Sequence, residues 1–286
     1  MAPAAATVTI FTDPGCPFGF NAQRQDLQVR WHYGDAVDVR TRMIVLRSER
    51  GTFEGTHLTS DMLVANAQRM RDEYGMPMAV GAREFLPSTR AACKAFVGAR
   101  LSRGDAVADA LLRAVRVHVH SLGSVIDEPA TLVAAAADAG IEAAELEAWL
   151  ADDAVEAALE EDVAAARAPV PEALALPHKL ARNGDGGGMR YTASSAVVEA
   201  GERTTSAPGF QPWAAYEVAI ASAAPQLPRR AAPESVGELL AWAPYPLATA
   251  EVAAVRGVSI PAARRELEEA GASFTAMAND GYWAAG

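Results

Sequence analysis

A buried strand that runs directly into a cysteine-bearing turn constrains this sequence more than any other feature. The segment 6–11 is apolar and β-branched, which predicts a buried strand. A Pro-Gly turn follows and ends at Cys16. Pro17 then suits the first turn of a helix, because its missing N–H costs no hydrogen bond there. Since a helix N-terminus favours thiolate over thiol, this order predicts a reactive cysteine at Cys16.

The stretch 12–20, Thr-Asp-Pro-Gly-Cys-Pro-Phe-Gly-Phe, resembles the active-site start of the DsbA-like branch of the thioredoxin superfamily. That branch includes disulfide oxidoreductases, 2-hydroxychromene-2-carboxylate isomerases and kappa-class glutathione transferases. Its usual pattern is Asp-Pro-x-Cys-Pro-Trp followed by Cys or Ser. The residues that fit this pattern are Asp13, Pro14, Cys16 and Pro17, with Phe18 at the aromatic position. Gly19 stands where a dithiol enzyme has its second cysteine, so the resemblance implies a monothiol variant.

The order of predicted elements is β-α-β, a run of helices, and then β-β-α. Its last part is a hairpin over 195–206 followed by a helix from about residue 214. This order resembles a thioredoxin-like fold with a helical insertion, as in the DsbA-like branch. We therefore predict an α/β fold with three parts, namely a thioredoxin-like domain (1–59 and 168–230), an inserted helical domain (60–167) and a small winged-helix-like C-terminal domain (233–286).

The loop before the third strand differs from the family pattern. Thioredoxin folds usually have a cis-proline there, facing the cysteine, whereas this sequence has Tyr-Thr-Ala-Ser-Ser at 191–195. A non-proline cis peptide is less stable than the trans form by about 3 kcal/mol. We therefore expect a trans loop whose serines line the site. The residues expected to bind substrate are Asp13, Pro14, Pro17, Phe18, Ser194 and Ser195.

The other cysteine and the histidines add no second site. Cys16 and Cys93 are the only cysteines, which excludes a disulfide-rich scaffold. Cys93 lies in an Ala-rich helical segment, which favours a core thiol over a redox partner. No further ligands accompany His118 and His120 at metal-binding spacing, so we expect no metal. The glycine-rich segment 183–188 lacks the ending of a phosphate-binding loop.

Charge and hydropathy narrow the classes of partner. The formal net charge of −11 opposes binding to nucleic-acid phosphates, and the helix-turn-helix-like C-terminal segment is itself acidic. The acidic run 160–162 is predicted to be a solvated helix face. Residues 1–6 show no leader pattern, and no apolar stretch is long enough for a membrane span. We therefore expect a cytoplasmic protein with neither a nucleic-acid nor a membrane partner.

The resemblance implies a thiol-dependent enzyme with Cys16 as nucleophile or as the contact of a thiol cofactor. A single cysteine needs an outside thiol to release a mixed disulfide, which points to a low-molecular-weight thiol such as glutathione or mycothiol. Monothiol oxidoreductase chemistry and thiol-dependent isomerase or transferase chemistry both remain open. The alternative is a non-catalytic thioredoxin-like protein that binds a small molecule or a protein. The expected partner is a small-molecule substrate, and a homodimer is left open.

Overall fold

The computed structural model describes residues 4–184 and 187–286. Parts of the N-terminal segment 1–6 and of the glycine-rich segment 183–188 therefore lie outside the described residues. The chain forms two compact units. The sheet unit comprises the described residues up to Val45 together with Asp153–Ala231, and the helical unit comprises Leu46–Asp152 with Ala232–Gly286. The domain boundaries given above stay a prediction.

The helices and strands follow one another in this order: β1 (Ala6–Thr12), α1 (Pro17–Asn21), α2 (Gln23–Tyr33), β2 (Val37–Met43), α3 (Ser60–Tyr74), α4 (Arg90–Arg103), α5 (Asp105–Arg116), a π-helical turn (Val117–Ser121), α6 (Pro129–Asp138), α7 (Ala143–Ala151), α8 (Asp153–Ala166), α9 (Pro171–Leu174), β3 (Ala181–Arg182), β4 (Met189–Arg190), β5 (Ser195–Ala200), β6 (Arg203–Ala207), α10 (Trp213–Ala223), α11 (Val236–Trp242), β7 (Leu247–Ala248), α12 (Thr249–Arg256), α13 (Ile260–Glu269), β8 (Ser273–Met277) and β9 (Asp280–Ala284). Within the described residues, none of these helices has the length and apolar character required to cross a bilayer.

The sheet unit is built on a four-stranded sheet with the strand order β2-β1-β5-β6. β1 and β2 are parallel, from the pair Ala6 and Val37 to the pair Thr12 and Met43. β5 is antiparallel to both β1 and β6. The predicted β-α-β unit and the predicted hairpin are therefore confirmed, and with them the α/β fold class with a thioredoxin-like sheet.

Residues of β1 contribute to two apolar clusters. Val8 and Ile10 pack with residues of α2 and α10, among them Val29 and Ile220. Phe11 belongs to the other cluster, which also contains the cysteine that follows the strand. Because successive side chains of a strand point to opposite faces, this alternation places the cysteine cluster on the face opposite α2 and α10.

A buried carboxylate attaches α8 to the end of β2. Asp162 is 1% exposed. Its Oδ2 accepts a hydrogen bond from the backbone N–H of Met43 at 3.1 Å, and its Oδ1 pairs with Arg42 at 3.2 Å. The predicted solvated face over 160–162 is therefore wrong for Asp162, although Glu160 and Glu161 are exposed. Consecutive helical residues point in different directions, so only one residue of such a run faces the strand.

The helical unit joins helices α3–α7 to the C-terminal segment. That segment has three helices and a sheet with the strand order β7-β9-β8, so the predicted helices and hairpin are present together with a short strand that the sequence did not reveal. The backbone N–H of Met78 donates to Asn279 Oδ1 at 2.9 Å, and the hydroxyls of Ser121 and Tyr282 lie 2.7 Å apart. The C-terminal segment thus packs on the helices of its own unit, and its winged-helix assignment stays a prediction.

Candidate active site

Cys16 is the N-cap residue of α1. Its backbone is extended, with φ −81° and ψ 119°, and Pro17 follows as the first helical residue. The Cys16 carbonyl accepts the first hydrogen bond of the helix from Phe20 N–H at 2.9 Å. Helix geometry leaves the remaining N–H groups of the first turn without acceptors inside the helix, and these groups favour negative charge at the N-terminus. The structure thus places the cysteine at a helix start, as the sequence predicts.

The turn before Cys16 is held by a buried aspartate. Asp13 Oδ1 accepts a hydrogen bond from Gly15 N–H at 2.8 Å, and the Asp13 carbonyl accepts one from Cys16 N–H at 3.2 Å. Asp13 and Pro14 are both buried, so these two predicted substrate-binding residues shape the turn that presents the thiol. Their contact with substrate stays a prediction.

Aromatic and aliphatic side chains surround Cys16, which is 7% exposed. Its cluster includes Phe11, Tyr191 and Ala193, and the rings of Phe11 and Tyr191 stack with centroids 4.4 Å apart. Phe18 packs against this cluster from a partly exposed position. Cys16 therefore lies in a mainly apolar environment with little of its surface exposed.

Phe18 also contacts a second aromatic residue outside the cysteine cluster. Its ring lies 5.5 Å from that of Phe210, measured between centroids. Pro17 beside it is partly exposed. These two predicted binding residues are thus accessible, unlike the residues of the preceding turn.

The loop before β5 departs from the sequence-based expectation. The Ala193–Ser194 peptide bond is cis, so the prediction of a trans loop is wrong. Ser195 Oγ donates to the Thr192 carbonyl at 2.7 Å and accepts from Gly209 N–H at 2.8 Å. The contact with Gly209 joins the loop to the segment after β6, and the expectation of a trans bond takes no account of tertiary contacts of this kind.

Ser194 and Ser195 are buried on this loop. Ser194 Oγ and the Tyr216 hydroxyl interact, yet neither makes a hydrogen bond of good geometry within the described chain. Burial raises the pKa of Tyr216, and the nearby charge of Asp26 adds to the increase. Ala193, like Tyr191 at the start of the loop, belongs to the cysteine cluster. The substrate-binding role of the two serines stays a prediction.

Arg190 is a candidate functional residue that the sequence analysis missed. Its charge interacts with Asp13 and Cys16. Burial lowers the pKa of Arg190, Asp13 and Cys16 act against this decrease, and Arg167 adds to it. Nothing in the spacing of the sequence indicates a cation here, because Arg190 lies on a two-residue strand far along the chain from the cysteine motif.

The motif has glycine where a second thiol would lie. Gly19 is buried within α1, and Cys93, the other cysteine, is buried in the helical unit. His118 Nε2 lies 2.8 Å from Asp138 Oδ2. In the described part of the chain, no group of three or more His, Cys, Asp or Glu side chains is arranged to hold a metal ion. The groups that the structure brings together around the motif are Cys16, backbone N–H groups of the helix start and Arg190.

Comparison with known proteins supports this picture of the fold. The profile of the DSBA-like thioredoxin domain family matches residues 7–169. The cytosolic disulfide reductase DsbM of Pseudomonas aeruginosa is 15% identical, with a TM-score of 0.52 over 74% of this chain and 97% of DsbM. A proposed protein disulfide isomerase of Nitrosomonas europaea is 16% identical, with a TM-score of 0.56 over 75% of this chain and 95% of that one. A comparison with curated protein sequences gives no match. At these identities the two solved structures show a shared fold.

Proposed function

Because the chain belongs to the DSBA-like thioredoxin domain family, we propose that it is a thiol-dependent enzyme in which Cys16 works without a second cysteine in its motif. One observation carries the proposal. Cys16 caps a helix within a motif that resembles the family's active-site start, while the residue three places later is Gly19. A thiolate is favoured at such a helix start, and an internal resolving thiol is missing from the motif.

The reaction that fits this site best is thiol–disulfide exchange with an outside thiol. The Cys16 thiolate attacks a disulfide R–S–S–R′, a bond forms between Cys16 Sγ and the sulfur of R, and R′–S⁻ leaves and takes a proton from water. The thiolate of a low-molecular-weight thiol such as glutathione or mycothiol then attacks the sulfur of R. This second step restores the Cys16 thiolate and releases a new disulfide, so the outside thiol supplies the electrons.

The low exposure of Cys16 favours a small substrate. Because Cys16 as a whole is only 7% exposed, a slender disulfide reaches it more easily than a disulfide set in a folded protein surface. The partly exposed side chains of Pro17 and Phe18 would then flank the entering molecule. Apolar contacts of this kind orient a ligand, while backbone N–H groups near the thiol would stabilise negative charge on sulfur.

Isomerase or transferase chemistry is the other form of the same proposal. There the site binds a low-molecular-weight thiol and keeps it deprotonated, and that thiol reacts with a second substrate. Cys16 would then contact the bound thiol without forming a lasting disulfide. The two forms differ in whether a covalent adduct at Cys16 accumulates.

A non-catalytic binding protein is the competing function, and the apolar cluster around Cys16 favours it. A buried cysteine among aromatic side chains commonly serves as a packing residue. In that case the thiol would react slowly, and the partly exposed wall at Phe18 would bind a small molecule or a protein without turnover.

The proposal includes a cytoplasmic location and no requirement for a metal, nucleic acid or membrane. The name of the neighbour DsbM describes a cytosolic disulfide reductase, which is compatible with this location. A thiol-rich compartment would also supply the outside thiol that a single cysteine needs.

Intact-protein mass spectrometry tests the proposed function. The protein is incubated with glutathione disulfide or mycothiol disulfide, and the gain of one thiol group is followed against time and pH. We expect an adduct on Cys16 whose formation has a pH midpoint below the value of about 8.5 for an ordinary cysteine. Reduced thiol should then remove it. The Cys16→Ala variant should form no adduct, and Cys93→Ala should react like the wild type because Cys93 is buried in the helical unit.

Three other results would change the conclusion. No adduct combined with slow alkylation of Cys16 would favour the non-catalytic protein. Fast alkylation without a stable adduct would favour the isomerase or transferase form. An adduct that persists in Cys16→Ala would place the reactive thiol elsewhere and contradict the proposal.

A further inference from the structure

We propose that Arg190, with Arg167 beside it, forms an anion subsite next to Cys16 that binds a carboxylate of the thiol or disulfide substrate. This inference rests on the proposed function and deepens it by naming a substrate class. It predicts that a carboxylate-bearing thiol such as glutathione is used in preference to an uncharged thiol.

The backbone around Arg190 fixes its place beside the cysteine cluster. Its two chain neighbours, Met189 and Tyr191, both pack with the cluster that contains Cys16. Its guanidinium Nη1 donates to the Tyr191 carbonyl at 2.9 Å, which restricts the orientation of the side chain. Arg190 also pairs with Ala181 across the β3–β4 ladder. The arginine is therefore held at the edge of the site by several contacts.

A second arginine is brought to the same edge by α8. The backbone N–H of Tyr191 donates to the Ala166 carbonyl at 2.9 Å, and Arg167 is the next residue after that carbonyl. The Tyr191 hydroxyl accepts a further hydrogen bond from Val170 N–H at 2.9 Å. Arg167 is exposed, whereas Arg190 is partly buried. Arg190 thus interacts both with Cys16 and with a second, exposed cation, Arg167.

The charges near Arg190 do not fully offset the effect of its burial. Asp13 and Cys16 interact favourably with Arg190, yet burial and the like charge of Arg167 leave its pKa below the ordinary value. A cation in this state gains free energy when a further anion arrives, because the anion restores what desolvation removed. The site is therefore suited to a negative ligand even with the aspartate and the thiolate present.

A carboxylate is the anion that best matches this arrangement. The planar guanidinium donates two parallel N–H groups that fit the two oxygens of a carboxylate. A disulfide substrate that places one sulfur at Cys16 carries its own carboxylates a few bonds away. Recognition of such a group would position the reacting sulfur and would discriminate against thiols that lack a charge.

Two disulfides that differ in charge test the subsite on the full-length protein. Glutathione disulfide carries carboxylates, and 2-hydroxyethyl disulfide does not. We expect Arg190→Gln to lower the ratio of their rates of Cys16 adduct formation by about tenfold, as expected for loss of a partly exposed charge-assisted hydrogen bond. Arg190→Lys should keep part of the ratio, because it keeps the charge without the planar fork. Arg182→Gln removes a charge from the exposed partner of Met189 in the same hairpin and should leave the ratio unchanged.

A binding measurement separates this inference from the proposed function. S-methylglutathione cannot form a disulfide, so its affinity is independent of the reactivity of Cys16. Calorimetry should show about tenfold weaker binding in Arg190→Gln than in the wild type. If wild type forms no adduct but binds S-methylglutathione through Arg190, the proposed function fails and the subsite stands.

Two outcomes would overturn the subsite. Equal slowing with both disulfides in Arg190→Gln would show that the arginine acts on the Cys16 thiolate alone. Unchanged or absent binding of S-methylglutathione would show that no carboxylate is recognised there. Circular dichroism of each variant checks that the fold is retained, and Arg190→Lys provides the comparison if the glutamine variant does not fold.

Discussion

We expect the Glu251→Ala substitution to destabilise the helical unit by about 3–5 kcal/mol, the cost of removing one partner of a buried ion pair. Arg113 of α5 and Glu251 of α12 meet through two hydrogen bonds, Nη1 to Oε1 at 2.7 Å and Nη2 to Oε2 at 2.8 Å. Their side chains are 7% and 0% exposed. The pair therefore joins the C-terminal segment to the insertion helices in the interior of the unit.

Loss of the carboxylate would leave several groups without their partner. Glu251 Oε2 also accepts from the backbone N–H of Ala248 at 2.7 Å, and Arg113 lies between the rings of Tyr245 and Tyr282. Burial alone would lower the pKa of Arg113, but the charge of Glu251 raises it overall. Without Glu251, the Arg113 guanidinium would stay in the interior without its carboxylate, although the Pro246 carbonyl would still accept a hydrogen bond from it. This uncompensated charge accounts for the upper part of the expected range.

The expected loss corresponds to a decrease in Tm of roughly 6–20 °C for a unit of this size. Urea unfolding followed by circular dichroism gives the free energy, and hydrogen exchange localises it to α5 and α12. The Glu268→Gln variant is the control. Glu268 is exposed and lies 3.9 Å from its partner Arg264, so the expected change is below about 0.5 kcal/mol.

A double variant sharpens the test of the buried pair. Arg113→Met combined with Glu251→Met replaces both charges by apolar side chains, so it should be less destabilised than the sum of the two single variants. The reasoning is refuted if Glu251→Ala costs no more than Glu268→Gln, or if the two methionine substitutions are additive. Either result would mean that the ion pair does not hold the C-terminal segment in place.

Three further predictions concern single residues. Burial lowers the pKa of His32 from 6.5, so the contribution of His32 to the free energy of unfolding should be complete above pH 6.5 and should decrease as the pH falls below that value. Urea unfolding at a series of pH values should show this decrease in the wild type, and His32→Asn should lack it. Gly98→Ala should lower the free energy of unfolding in urea by about 1–3 kcal/mol, because the new Cβ would lie 2.5 Å from the Cβ of Trp149. Gly237→Ala is the control, since its new Cβ would have its nearest contact at 3.7 Å and should not destabilise the protein. In Gly19→Cys, the glutathione adduct on Cys16 should be released without added thiol, because the new cysteine is a resolving thiol in the same helical turn. If mass spectrometry shows that the adduct persists in this variant, the prediction is contradicted.

Local features of the site could be predicted from the sequence because neighbouring residues determine them. Pro17 indicates the first helical position, and the structure confirms that α1 begins there after Cys16. The alternation of polar and apolar residues indicates β2, and the tight turn at 201–202 indicates the β5–β6 hairpin. Each of these signals depends on a few consecutive side chains and their backbone preferences.

Features that depend on distant contacts could not be predicted in this way. Asp162 lies in an acidic run whose composition indicates solvent, yet β2 offers a backbone N–H to that one carboxylate. In the loop before β5, Ser195 Oγ accepts a hydrogen bond from Gly209 N–H, and no local sequence pattern indicates this contact. In both cases the hydrogen-bond partner is a backbone N–H group of another segment. Almost every residue has such a group, so the amino-acid sequence does not indicate which one is the partner.

The surroundings of Cys16 combine both kinds of information. The helix start is encoded within the motif, so every chain with this motif would place a thiol near unpaired N–H groups. Arg190 lies on a two-residue strand, and tertiary packing of this strand on the cysteine cluster places the charge of Arg190 near Cys16. Gly19→Cys adds a second thiol to the motif, and Arg190→Gln removes the charge that the tertiary contact supplies. The motif should therefore determine whether Cys16 reacts and whether its mixed disulfide is resolved. The contact with Arg190 should determine which low-molecular-weight thiol the site binds.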